Sequence, residues 1–141
     1  MPFDPDRYPA LAKMQAVSLF GSLRYQFTDA GDGWAEIGFT ASERTYNLYG
    51  IVHGGAWLFL ADSAMGGALG TVCAATEQII ATQLDFRWLG PLRGTTIRAR
   101  GHVLRRGRTV SHAAVELFDA EDRLIGTGSG TYVIVASAEQ L

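Results

Sequence analysis

Three stretches of this 141-residue chain hold residue types that could do chemistry. The first centres on Asp62, the only formally charged side chain between Arg44 and Glu77, placed midway along a run of Ala, Leu, Trp, Phe, Met and Gly. A carboxylate in such surroundings loses solvation unless something uses or satisfies it, so Asp62 is either a general base or nucleophile, or a structural cap for a neighbouring segment. The second is His53-Gly54-Gly55 at the start of that run. Its glycines let the backbone turn sharply and leave the first amide N–H groups clear of Cβ atoms, which makes a donor site for an anion or for an oxygen gaining charge. His53 either shapes this turn or takes part in chemistry. Asn47, six residues earlier, either bonds a ligand carbonyl or water or shapes the loop before Gly50. The third is the basic turn Arg105-Arg106-Gly107-Arg108, where guanidinium forks suit phosphates and where a solvated charged turn is the bland alternative.

These residues need elements to hold them. From Gly55 to about Cys73 the chain is apolar on every side and longer than an ordinary strand, which predicts a helix buried all round, the core helix of the domain. Leu11, Met14, Val17 and Leu19 predict a short amphipathic helix over about 6–20. Leu23, Tyr25 and Phe27, then Ala35, Ile37 and Phe39, alternate with polar residues around Asp29–Gly33, a hairpin pattern. After the core helix, alternation at Leu84–Trp88, Ile97–Val103, Ala113–Leu117 and about 124–135 predicts four strands in a meander. The order is that of an α+β domain, an antiparallel sheet covered by the buried helix. Gly126, Gly128 and Gly130 fall on one face of the last strand, a strip that another backbone could approach and where the Ala- and Gly-rich helix could lie, or a mere tolerance of glycine at an edge.

Composition bounds the function. The length fits one domain over 1–141, with no repeat or linker. A net charge of −2 and a pI near 5.9 give no electrostatic footprint for nucleic acid. The long uncharged stretch is interrupted by Asp62 and five glycines, which argues against a membrane span. No secretory leader is legible, and the single Cys73, expected to be buried, suits a reducing cytoplasm. His53, His102 and His112 lack the spacing of metal ligands, so neither metal nor cofactor is expected.

The pattern N-x-x-G-x-x-H-G-G-x6-D from Asn47 to Asp62, the strand end Trp88-Leu89-Gly90-Pro91 and the turn Gly107-Arg108-Thr109 resemble the hotdog-fold acyl-CoA thioesterases of the phenylacetate-pathway type, over roughly residues 41–135. The resemblance implies a sheet wrapped around the central helix, with the site between two subunits of a homodimer that assembles into a homotetramer. It implies Asp62 as nucleophile or general base, the Gly54 amide as oxyanion donor, and Asn47 and His53 as the other catalytic residues. Gly55, Thr82, Arg106 and Arg108 would contact an acyl-CoA. The family's hydroxyl position, ten residues before the Pro, is Ala81 here, and Thr82 stands beside it.

Thioester hydrolysis needs a group that attacks or activates water, and donors aimed at the oxygen that becomes negative. The nine residues from His53 to Asp62 span about 900° and about 13 Å of rise on one helix, so the donor and the carboxylate must come from different copies of the chain. Tyr46, Tyr49, Trp57, Phe59 and Trp88 are candidates for the lining of an aromatic or medium-chain acyl pocket, or equally for the core. The alternative of another class is an acyl-CoA-binding domain that cleaves nothing. A hydratase on the same fold would need a catalytic His and acid in a different local sequence.

Overall fold

The computed structural model describes residues 2–136. In chain order these form α1 (Pro9–Gln15), α2 (Ser18–Leu23), β1 (Gln26–Gly31), β2 (Trp34–Thr40), a 3-10 turn (Glu43–Thr45), α3 (Gly54–Gly70), β3 (Glu77–Trp88), β4 (Thr96–Arg105), β5 (Val110–Phe118) and β6 (Leu124–Ala136). The sheet is antiparallel throughout, with strand order β1-β2-β4-β5-β6-β3. Its inner face wraps the buried helix α3, as the apolar circumference of that helix requires.

Three sequence expectations are corrected here. The predicted N-terminal helix is two helices, because Val17 is extended (φ −67°, ψ 134°) and breaks the run. The break lets Leu11 and Phe20 both reach the core, and the Gln15 side chain pins it by donating to Tyr25 O (2.9 Å) and accepting from Phe27 N (2.7 Å). Leu23 consequently ends α2 instead of starting the hairpin. The four later strands are not one meander either: only β4, β5 and β6 follow each other, while β3 lies beyond β6 at the sheet edge. Alternation along a strand says which face is buried and nothing about its neighbour.

The third correction concerns glycine. Where α3 presses closest on the sheet it meets Gly101 of β4, outside the predicted strip: a Cβ there would overlap the Ala64 carbonyl, 2.5 Å from its carbon and 2.8 Å from Met65 N. In the strip, Gly126 and Gly128 face β3 at Phe86 and Asp85, and Gly130 alone faces α3, through the Met65 side chain. Because the obstruction at Gly101 is helix backbone, no side-chain rotation relieves it. Gly101→Ala is therefore expected to cost about 3 kcal/mol by forcing α3 off the sheet. Urea unfolding should show the loss as a lower midpoint at unchanged slope.

Candidate active site

At its N-terminus α3 is capped by His53, which is extended (φ −60°, ψ 136°) and accepts from the Gly55 amide at Nδ1, 2.8 Å away. A Cβ on Gly55 would stand 3.0 Å from that nitrogen, so the glycine is what lets the imidazole fold back onto the helix start. With Nδ1 accepting, the network assigns the proton of the neutral ring to Nε2. The cap uses the Gly55 amide and leaves the Gly54 amide, at the first helical position, without a protein partner among the described residues.

Gly54 borders an open-sided cavity of about 450 Å³ lined by the 46–52 loop, the start of α3, Trp88 at the end of β3, and the 90–95 loop. Asn47 lines it and holds its shape: the carboxamide oxygen accepts from Tyr49 N (2.9 Å) and Ile51 N (3.3 Å), and Asn47 O accepts from Gly50 N (3.1 Å). Its side-chain N–H donors remain available. Of the expected aromatic residues, Tyr46, Trp57 and Trp88 line the cavity. Phe59 instead packs on Phe20 and Tyr25 in the core, and Tyr49 stands 77% exposed. The helix dipole places its positive end here, with no acidic residue in the first turn to offset it.

Asp62 is elsewhere. Counted from Gly54, the first helical residue, it lies eight positions on, a net rotation of about 80° and a rise of about 12 Å. The rotation is smaller than the half turn expected from His53, because His53 is outside the helix, but the rise alone separates the two groups. Asp62 is half-buried, and its Oδ1 accepts from the hydroxyl of Tyr132 on β6 at 2.8 Å. Burial, reinforced by the charge of Asp62 and this bond, pushes the Tyr132 phenol far above its ordinary pKa. Thr82 is near in register: it is the extra residue of a bulge in β3 between Ala81, which pairs with Tyr132, and Gln83, and its hydroxyl donates to Thr131 O at 3.2 Å.

The basic turn forms a third, separate group. Arg106 pairs with Glu77 at 2.8 Å and also donates to the Gly107 carbonyl, so its fork is largely occupied by its own chain. The Ala74 amide, and then Arg106, hold the Glu77 carboxyl below the usual range against its partial burial. Arg108 and Arg105 are exposed. Cys73 is half-buried instead of buried, and burial raises its thiol pKa.

The structure thus brings Asn47, His53, Gly54 and Gly55 together and separates them along α3 from Asp62. Sequence reasoning missed Tyr132, which it read only as part of a strand. It also missed the buried Nε1 of Trp57, which has no hydrogen-bond partner among the described residues. The only signal for Tyr132 was a large polar-tipped residue on the inward face of β6.

The 1,4-dihydroxy-2-naphthoyl-CoA hydrolase of Escherichia coli is 28% identical over 116 residues, 82% of this chain and 85% of that protein. Among solved structures, a thioesterase of Haemophilus influenzae superposes with a TM-score of 0.84 at 20% identity, covering 94% of this chain and 93% of that one. The Escherichia coli PaaI protein of the phenylacetic acid degradation operon gives 0.82 at 17% identity, covering 93% and 95%. At these identities the structural likeness establishes the hotdog fold. The pattern of the Thioesterase superfamily matches residues 49–125, the stretch that carries the helix cap, most of the cavity lining and Asp62, and the chain belongs to that family of thioester hydrolases.

Proposed function

We propose that this chain hydrolyses an aromatic or medium-chain acyl-CoA as a homodimer of the PaaI-like type, further assembled as a tetramer, in the cytoplasm. The observation that carries the reading is the unpaired Gly54 amide on a cavity of about 450 Å³. It is a fixed donor for the carbonyl oxygen as charge develops there. Asn47 adds a side-chain donor, and His53 keeps the Gly55 amide from competing. Asp62 either attacks the carbonyl carbon or takes a proton from the water that does. The C–S bond breaks, the thiol of coenzyme A leaves, and water supplies the oxygen and proton that complete the acid and the thiol.

The rise of about 12 Å between Gly54 and Asp62 supports a site completed by a second copy. So does the place of β3 at the edge of the sheet, a position that suits pairing with a second copy. Leu48, Tyr49, Ile51 and Trp88 stand exposed near the same end, apolar area that a partner would cover. Under two-fold symmetry each cavity then receives the other copy's carboxylate, with Thr82 on the joining strand. Arg106, held by Glu77, frames the turn on which Arg108 is free to meet the phosphates of the nucleotide.

Asp62→Asn is expected to lower kcat by about 100-fold while the chain still folds and dimerises, and near-normal turnover would remove it from the mechanism. Arg108→Ala is expected to raise KM for acyl-CoA far more than it lowers kcat, with an effect that fades as salt rises. The same loss with an acyl-pantetheine thioester, which lacks the nucleotide, would rule out phosphate contact. Gly54→Pro deletes the donor gently: Gly54 is the first residue of α3, where proline is tolerated, and His53 before it is already extended. A heterodimer of Gly54→Pro and Asp62→Ala chains should recover about half of wild-type activity, because one of its sites holds both defects and the other holds neither. A verified heterodimer without activity would place the whole site in one chain.

A further inference from the structure

The Tyr132 hydroxyl reaches two oxygens of one residue: Asp62 Oδ1 at 2.8 Å and the Asp62 main-chain oxygen at 3.3 Å. A donor shared between a side chain and its own carbonyl fixes the torsions between them, so the Asp62 carboxylate cannot swing freely about the helix. Among the described residues Oδ2 has no hydrogen-bond partner. The phenol is itself immobile. It is 1% exposed, lies between Ala81 and Ser111 of the flanking strands, and leans over Gly130, where a Cβ would stand 2.8 Å from its ring and 3.2 Å from Met65 Cε. By strand alternation His112, Asp85 and Arg87 lie on the opposite face of the sheet, and α3 carries no second charge.

We propose that Tyr132 is the positioning residue of the reaction: it clamps Asp62 Oδ1 against α3 and so presents Oδ2, and only Oδ2, to the acyl carbonyl or its attacking water. The proposal rests on the reading of Asp62 as the working carboxylate. It explains why a large polar-tipped side chain is buried on the inner face beside a glycine, and how a half-buried carboxylate keeps a donor without a charged partner. Tyr132 touches no reacting atom, so its effect passes entirely through Asp62.

The test is Tyr132→Phe, which removes one oxygen and leaves the ring. On the best acyl-CoA, kcat should fall about ten-fold with KM within about two-fold of wild type, the signature of a group acting only in the transition state. In the Asp62→Asn background the same change should cost nothing further, since residues that act as a unit are not additive. Normal turnover in Tyr132→Phe, or an equal loss in both backgrounds, overturns the positioning role and leaves the proposed hydrolysis standing. A readout independent of activity is carbon NMR at neutral pH, in which the Asp62 Cγ resonance should move in Tyr132→Phe. If it moves in Tyr132→Phe while the wild-type chain cleaves no thioester, the clamp is upheld and the proposed reaction alone falls; if it stays, the clamp is overturned. Should Tyr132→Phe fail to fold, the Cζ resonance of Tyr132 serves instead. It should shift in Asp62→Asn while the other four of the five tyrosines hold still, and an unmoved resonance overturns the proposal.

Discussion

The contact on which the rest depends is the backbone-to-backbone approach of α3 to β4 at Gly101. With no Cβ in between, the helix sinks into the sheet far enough for Ala61, Ala64, Met65 and Ala68 to be fully buried. Close packing of this kind is rigid on the time-average, because a shift of even a fraction of an ångström opens voids or overlaps on both sides. A helix so seated is a fixed ruler. Whatever is attached at Gly54 and at Asp62 is held at constant separation and angle.

That rigidity bears on the proposed division of the site. The start of a helix is the one place on it with unpaired amides, which is why the proposal takes its oxyanion donor from Gly54. A carboxylate two turns on cannot be brought back to the same carbonyl without bending a helix that has no room to bend. A carboxylate in the first turn would also weaken the positive end of the helix dipole, which the donor uses. In the proposed dimer, donor and carboxylate at two points of one helix, made adjacent by symmetry, meet both requirements.

The polar groups inside the wrapped helix follow the same economy of partners. The Tyr25 hydroxyl donates to Ala56 O at 2.7 Å and the Tyr132 hydroxyl to Asp62, so these two buried phenols find acceptors on α3, one near its start and one at its middle. Burial raises the pKa of both phenols far above the ordinary value, and both are neutral donors throughout the working range. Desolvation, costly for a charge, is what makes these hydroxyls dependable donors.

Local chemistry fixed a good deal of this protein in advance. The apolar run from 55 onward determined a helix, observed as Gly54–Gly70 and fully buried only in its second half, alternation determined most strands and their inner faces, and His53-Gly54-Gly55 followed by a lone Asp62 marked both halves of the proposed site, because each depends on neighbours within a few positions. Tertiary structure alone decided the rest. Which strand lies beside β6, which glycine receives the helix, and that Val17 breaks the first helix are outcomes of packing between distant segments, to which a period of two or 3.6 is blind. The same holds for Tyr132, seventy residues from Asp62, whose hydroxyl acquires its meaning only when β6 passes under α3. It holds for Arg106, which the sequence offered to a ligand and the fold gave to Glu77. A side chain's type is written in the chain, but its partner is set by the path of the backbone.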